Sequence, residues 1–274
     1  MKQRRVWILV AMLAMIFAAG CGGPKELRAP ERFAHGYVVV LPGVEGSSTL
    51  NRSVAQGLAD GGVQGAIEVH DWTLGPGWIS AVINLRAQSH NRLEARKIAE
   101  KIVQYQNKHP GRPVHIIGHS GGGGIAVYVL ESLPPRRKIT SAILLAPALS
   151  PGYDLRPALR HVERGIYNFY SPYDVGFLGL GTSVAGTIDG RHTRAAGAVG
   201  FTTPGGLGPD DRRLYAEKLH QQRYLSQMAE SGHPGTHVGW ANRRFVAEWL
   251  APTILKGVSQ TVTAQAEETQ PADP

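Results

Sequence analysis

Five residues, Gly118-His119-Ser120-Gly121-Gly122, constrain this chain more than any others. They follow the apolar run Val114-His115-Ile116-Ile117 and precede Gly123-Gly124-Ile125-Ala126-Val127-Tyr128-Val129-Leu130. The pattern predicts a strand, a tight turn and a helix in immediate succession. A serine at such a turn takes a strained backbone conformation, so its flanking side chains must be nearly absent. Gly118 and Gly122 meet that demand. The turn lifts the Ser120 hydroxyl to the carboxyl end of a sheet, where the helix start offers free N–H groups and a positive dipole end to a developing oxyanion. With 34 glycines in the chain, G-x-S-x-G alone arises easily by chance. The alternative is a glycine-rich turn with a surface serine; the flanking strand and helix favour a nucleophile.

The rest of the chain alternates in the same manner. Strands are expected at Tyr37–Leu41, Ala66–His70, the elbow strand His115–Ile117, Ser141–Ala146 and Gly165–Tyr170, with a further one within residues 183–202. A helix is expected from about Ser47 to Gly61-Gly62, another from the spacing of Ala95, Ile98, Ala99, Ile102 and Tyr105, and a last one over Asn242–Leu250. Near-continuous apolar strands separated by helices imply an α/β fold, a mostly parallel central sheet flanked by helices on both faces.

These motifs resemble the α/β-hydrolase superfamily, in its bacterial serine esterase/lipase type, over about Gly36 to Pro252. The resemblance implies a Ser–acid–His triad in that chain order. Ser120 would be the nucleophile. Of the 11 histidines, His237 in Gly235-Thr236-His237-Val238-Gly239 matches the base before the last helix; His233 precedes proline and reads as loop surface. Asp174 in Tyr170-Ser171-Pro172-Tyr173-Asp174 stands where the superfamily places its acid, with Asp154 as the alternative and Asp189 behind it. The oxyanion hole would use the N–H groups of Gly121 and of Val44 in Pro42-Gly43-Val44-Glu45-Gly46, where Pro42 replaces the usual histidine. His119, inside the elbow, is expected to point away from Ser120 and pack. Trp72, Leu74 and Trp78 form either an apolar rim for an acyl chain or packing between loop and core.

The expected activity is hydrolysis of carboxylic esters without a cofactor. Acyl transfer, thioester or amide cleavage by the same residues, and a catalytically silent scaffold, stand as alternatives. No metal is expected, because His233 and His237 lie on a Gly/Pro loop without further ligands. Nor is nucleic acid, since no basic-aromatic interleaving occurs; the partners are a small or lipid ester and a membrane.

The membrane enters through residues 1–20. Lys2, Arg4 and Arg5 precede an apolar run from Val6 to Ala19, too short to span a bilayer comfortably, so a signal peptide is expected. Ala18-Ala19-Gly20-Cys21 resembles a bacterial lipobox, although Ala18 replaces the usual leucine. That implies cleavage before Cys21, lipidation of this sole cysteine, and a place in the bacterial cell envelope. Removing residues 1–20 takes the formal charge from +8 to +5. Residues 21–35 read as a tether, 36–254 as the hydrolase domain with a Gly-rich insertion at 176–208, and 255–274 as a polar tail.

Overall fold

The computed structural model describes residues 24–75, 78–174 and 186–256. Its frame is one six-stranded, all-parallel sheet: β1 (Tyr37–Leu41), β2 (Ala66–Val69), β3 (Val114–His119), β4 (Ile139–Leu145), β5 (Val162–Tyr170) and β6 (Leu219–Arg223), in spatial order β2-β1-β3-β4-β5-β6. Every residue of β1, β3 and β4 is buried, as parallel strands covered on both faces must be. The helices are α1 (Thr49–Asp60), α2 (Trp78–Arg86), α3 (Gln88–Lys108), α4 (Gly121–Glu131), α5 (Arg156–Leu159), α6 (Ala196–Val199) and α7 (Pro209–Lys218). A C-terminal helix runs Arg243–Phe245, through a π turn at Val246–Leu250, to Ala251–Lys256. Two helix groups cover the sheet: α1 packs with the C-terminal helix, while α3, α4, α5 and α7 pack in sequence.

Local chemistry sets the element ends. Ser48 and Asn51 close a capping box on α1, and the Asn242 side chain accepts from the N–H groups of Arg244 and Phe245 to start the last helix. The chain runs from β1 outward to β2, then returns to the other side of β1 as β3. The crevice of such a sheet lies where the order reverses, outside the carboxyl ends of β1 and β3. The pairing of Leu41 with Gly118 puts the loop after β1 beside Ser120.

Two expectations change. The sixth strand is β6, not a segment of 183–202. Its sequence Leu-His-Gln-Gln-Arg lacks the apolar signal because it lies on the sheet edge, half-solvated. Residues 25–34, read as tether, form two 3-10 segments, Lys25–Arg28 and Pro30–Ala34. Leu27 enters the core, and Arg32 donates to the carbonyls of Val63 and Gly65. The described part of the Gly-rich insertion is packed: Ile188, Ala196 and Gly197 donate backbone hydrogen bonds to Ala148, Leu149 and Pro147. Cys21, residues 176–185 of the insertion and the tail from 257 lie outside the described residues.

Candidate active site

The elbow is built as its glycines require. Ser120 sits at φ 54°, ψ −119°, a conformation costing a non-glycine residue on the order of 1–3 kcal/mol. Hydrogen bonds on both sides hold it there: its N–H donates to Leu145 (2.9 Å), while its carbonyl accepts from Gly123 (3.0 Å) and Ala148 (2.9 Å). A Cβ at Gly122 would stand 2.3 Å from the carbonyl oxygens of Leu41 and Pro42, so only glycine lets α4 start this close to β1. A Cβ at Gly121 would stand 2.7 Å from Val44 Cγ1, so Val44 and Gly121 are neighbours over the crevice. Among the described residues neither of their N–H groups has a protein acceptor.

Asp174 lies four residues beyond β5, and its Oδ2 accepts from His237 Nδ1 at 2.6 Å. Both are buried. With Nδ1–H committed to the carboxylate, the neutral ring keeps its lone pair on Nε2. Ser171 ties the two loops together: its hydroxyl donates to the Gly235 carbonyl (2.7 Å), while its own carbonyl accepts from the Asp174 N–H (3.1 Å). The other acids are engaged elsewhere. Asp154 is paired with Arg156 at 2.7 Å, and Asp189 accepts from the Ser150 N–H and hydroxyl.

One histidine departs from expectation, and a second packs as expected while also making a hydrogen bond. His233 is enclosed rather than on the loop surface. Its ring lies 4.0 Å from that of Trp240 and 4.8 Å from that of Phe245, and its Nδ1 accepts from the Gly235 N–H. Burial pushes its pKa down to about 3, so it stays neutral. His119 does more than pack. Its ring centroid is 4.7 Å from that of His237, and its Nε2 lies 3.1 Å from the His237 carbonyl. A carbonyl only accepts, so Nε2 carries the hydrogen, and burial followed by the neighbouring His237 holds the His119 pKa near 3.

Side chains remote in sequence hold the loop after β1. Trp72 is fully buried and donates from its indole to the Pro42 carbonyl (2.7 Å), which settles it as packing; Leu74 is exposed, and the Trp78 side chain lies outside the described residues. Asn84, fully buried, donates to the carbonyls of Val44 (2.9 Å) and Gly75 (3.2 Å) and accepts from the Leu74 N–H. Asp71 accepts from the Ser47 N–H at 2.8 Å. Glu45 is a carboxylate the sequence reading did not weigh. Its Oε1 is enclosed without a hydrogen-bond partner. Burial raises its pKa, against the stabilising pull of its own backbone N–H, His237, Asn51 and Gly43. The signals for Asn84, Ser171 and Glu45 are tertiary and have no local motif. Among the described residues no group of three or more His, Cys, Asp or Glu is placed to hold a metal ion, and no helix is long and apolar enough to cross a membrane.

The serine aminopeptidase S33 family model, Hydrolase_4, matches residues 79–189, which include Ser120 and Asp174. No curated protein matches the chain in sequence. Among solved structures, a dienelactone hydrolase-like promiscuous phosphotriesterase from metagenomic libraries is similar at 15% identity and TM-score 0.49, over 81% of this chain and 86% of that one. A poly(3-hydroxybutyrate) depolymerase from Bordetella parapertussis is similar at 13% identity and TM-score 0.47, over 84% and 83%. Lipase B of Aspergillus fumigatus is similar at 11% identity and TM-score 0.49, over 85% and 55%.

Proposed function

Taking the chain as a serine hydrolase of the α/β-hydrolase superfamily, we propose that it cleaves carboxylic esters through a Ser120–His237–Asp174 triad and an acyl-enzyme. The observation that carries this reading is the buried 2.6 Å hydrogen bond from His237 to Asp174, on a sheet that raises a strained serine at its carboxyl end. Ser120 attacks the acyl carbonyl as His237 Nε2 takes its proton. Asp174 keeps the imidazole in that tautomer and stabilises the imidazolium. The N–H groups of Val44 and Gly121 receive the oxyanion, and His237 returns the proton to the leaving alcohol. Water, activated by the same imidazole, then releases the acid. The exposed Val238, next to His237 in sequence, and Leu74, whose N–H is held by the same Asn84 that holds the Val44 carbonyl, supply apolar surface suited to an acyl group.

Amide cleavage is the second reading, favoured by the aminopeptidase description of the matching family model. One experiment separates them: turnover of p-nitrophenyl esters of graded length beside aminoacyl p-nitroanilides, with fluorophosphonate labelling, in wild type and Ser120→Ala. Ester turnover and labelling, both lost in Ser120→Ala, support the reading. Anilide turnover alone moves the substrate class to amides, and labelling that persists in the variant removes Ser120. We further propose that Cys21 is lipidated and holds the protein in the bacterial cell envelope, which mass spectrometry of the mature N-terminus tests.

A further inference from the structure

We propose that the amino end of the sheet is a docking face for an anionic lipid bilayer, so that the catalytic mouth opens away from the membrane that holds the protein. The proposal rests in part on the lipid-anchor reading above, but the face is defined by charge and topology. Between the approaches to β3, β4 and β5 lies a cleft of about 630 Å³ whose lining includes Arg112, Arg136, Arg137, Lys138 and Arg164, against the single carboxylate of Glu163. Four of these cations are exposed and Arg137 is half-buried. Among the described residues none forms an ion pair; Arg137 donates to Asn107 and Arg164 to the Ile254 carbonyl. A folded chain gains little by leaving five cations together unpaired, whereas a lattice of lipid phosphates neutralises them all.

The chain arrives at this same end. Arg32 binds the carbonyls just before β2, the Tyr105 hydroxyl donates to the Phe33 carbonyl, and the Tyr37 N–H donates to Pro113, which also lines the cleft. Cys21 precedes Pro24 by three residues, a reach of roughly 10 Å. Exposed Lys25 and Arg28 lie between Cys21 and these contacts, in a segment that packs alongside β2. At the opposite end Glu45, Asp71 and Asp174 follow β1, β2 and β5, mixed with Arg156 after β4 and Arg223 at the end of β6. An anionic surface is attracted to the unpaired cluster of the first end. The six residues of β3 separate the two by roughly 20 Å. The triad thus works on esters in the aqueous space or on a facing surface, beyond reach of esters in its own bilayer.

The test uses the chain from residue 22, which retains every described residue including the buried Leu27, so that no lipid contributes. It is sedimented with vesicles of phosphatidylcholine alone or mixed with phosphatidylglycerol. Binding is expected only to the anionic vesicles and is lost at high salt. Arg136→Gln with Arg137→Gln and Lys138→Gln should weaken it on the order of a hundredfold, while fluorophosphonate labelling and turnover of a water-soluble ester stay at wild-type levels. Binding that ignores the triple variant but falls with Leu74→Ser and Ile83→Ser, at exposed apolar residues beside the Asn84 that holds Val44, or vesicles that strongly activate turnover, would place the mouth on the membrane and overturn the proposal. So would retention of inorganic phosphate without vesicle binding, which assigns the cleft to a soluble anion. Vesicle binding with an unlipidated Cys21 in cells removes the anchor and keeps the face; binding without turnover removes the hydrolase reading alone.

Discussion

At the carboxyl end of the sheet the chain holds Ser120 and Ala146 at φ 54° and 45°, the only non-glycine residues at positive φ among those described. It also encloses the Asp174–His237 pair there and leaves one oxygen of Glu45 without a partner. At the amino end no non-glycine residue among those described takes a positive φ, and the charged groups are mostly exposed cations. The same strands join both ends, so the difference lies in the loops. The carboxyl-end loops place polar groups where a core would exclude them, and the apolar strands beneath supply the stability that tolerates it. Substitutions at the two ends should therefore trade stability against activity in opposite ways.

The largest effect is expected at the strained nucleophile. Ser120→Gly removes both the hydroxyl and the steric conflict at φ 54°, so turnover should fall about 10⁶-fold while thermal stability rises by about 1 kcal/mol. Equal loss of activity and stability in a melting curve would show that the elbow stores no strain. Asp174→Asn comes next. It preserves the shape of the buried pair but lets the amide favour the wrong imidazole tautomer, and kcat should drop about 10⁴-fold with KM nearly unchanged. A loss below tenfold would mean that the 2.6 Å contact with His237 is structural.

The parts of this arrangement that could be read in sequence are those whose signal is local. Tyr37–Leu41 and Ser141–Leu145 are apolar runs because parallel strands at the sheet centre are buried on both faces. The elbow was legible because strand, Gly-x-Ser-x-Gly and helix follow one another in sequence and Gly118 answers a clash with the nearby Gly122 carbonyl, although Gly122 itself answers the remote carbonyls of Leu41 and Pro42. Edge strand β6 was not, since Leu-His-Gln-Gln-Arg carries no burial pattern. His233 was misread for a related reason. The neighbouring proline is a loop signal, but the cage that buries the ring comes from Tyr224, Trp240 and Phe245. Asn84 and Ser171 bind carbonyls 40 and 64 residues away in sequence, and no local pattern announces such contacts.

Smaller effects separate the titrating groups. Burial holds His115, His119 and His233 neutral, with pKa values down to about 3. The unfolded chain takes up their protons near the ordinary 6.5 and the folded one does not. Their contribution to stability is full above pH 6.5 and is lost as pH falls toward 3. The slope of Tm against pH over that window should flatten in His233→Phe, whose ring suits the same aromatic cage. An unchanged slope would mean that acid unfolding is governed elsewhere.

Glu45 has the opposite sign and the smallest expected effect. Its carboxyl is raised above the ordinary 4.5 by burial, so the fold favours the protonated form. That contribution is complete below pH 4.5 and is lost as pH rises through the raised value, above which an enclosed charge remains. Glu45→Gln keeps the shape and removes the charge. It should raise Tm by about 2–4 °C at pH values above the raised one, the size of a change of about 1 kcal/mol in a domain of this length, and the gain should vanish below pH 4.5. Arg136→Gln at the other end should move Tm by less than about 0.5 kcal/mol equivalent at either pH, because an exposed cation is already solvated. If Glu45→Gln were as silent as Arg136→Gln, the carboxylate would be solvated too, and the contrast between the two ends would rest on Ser120 and the triad alone.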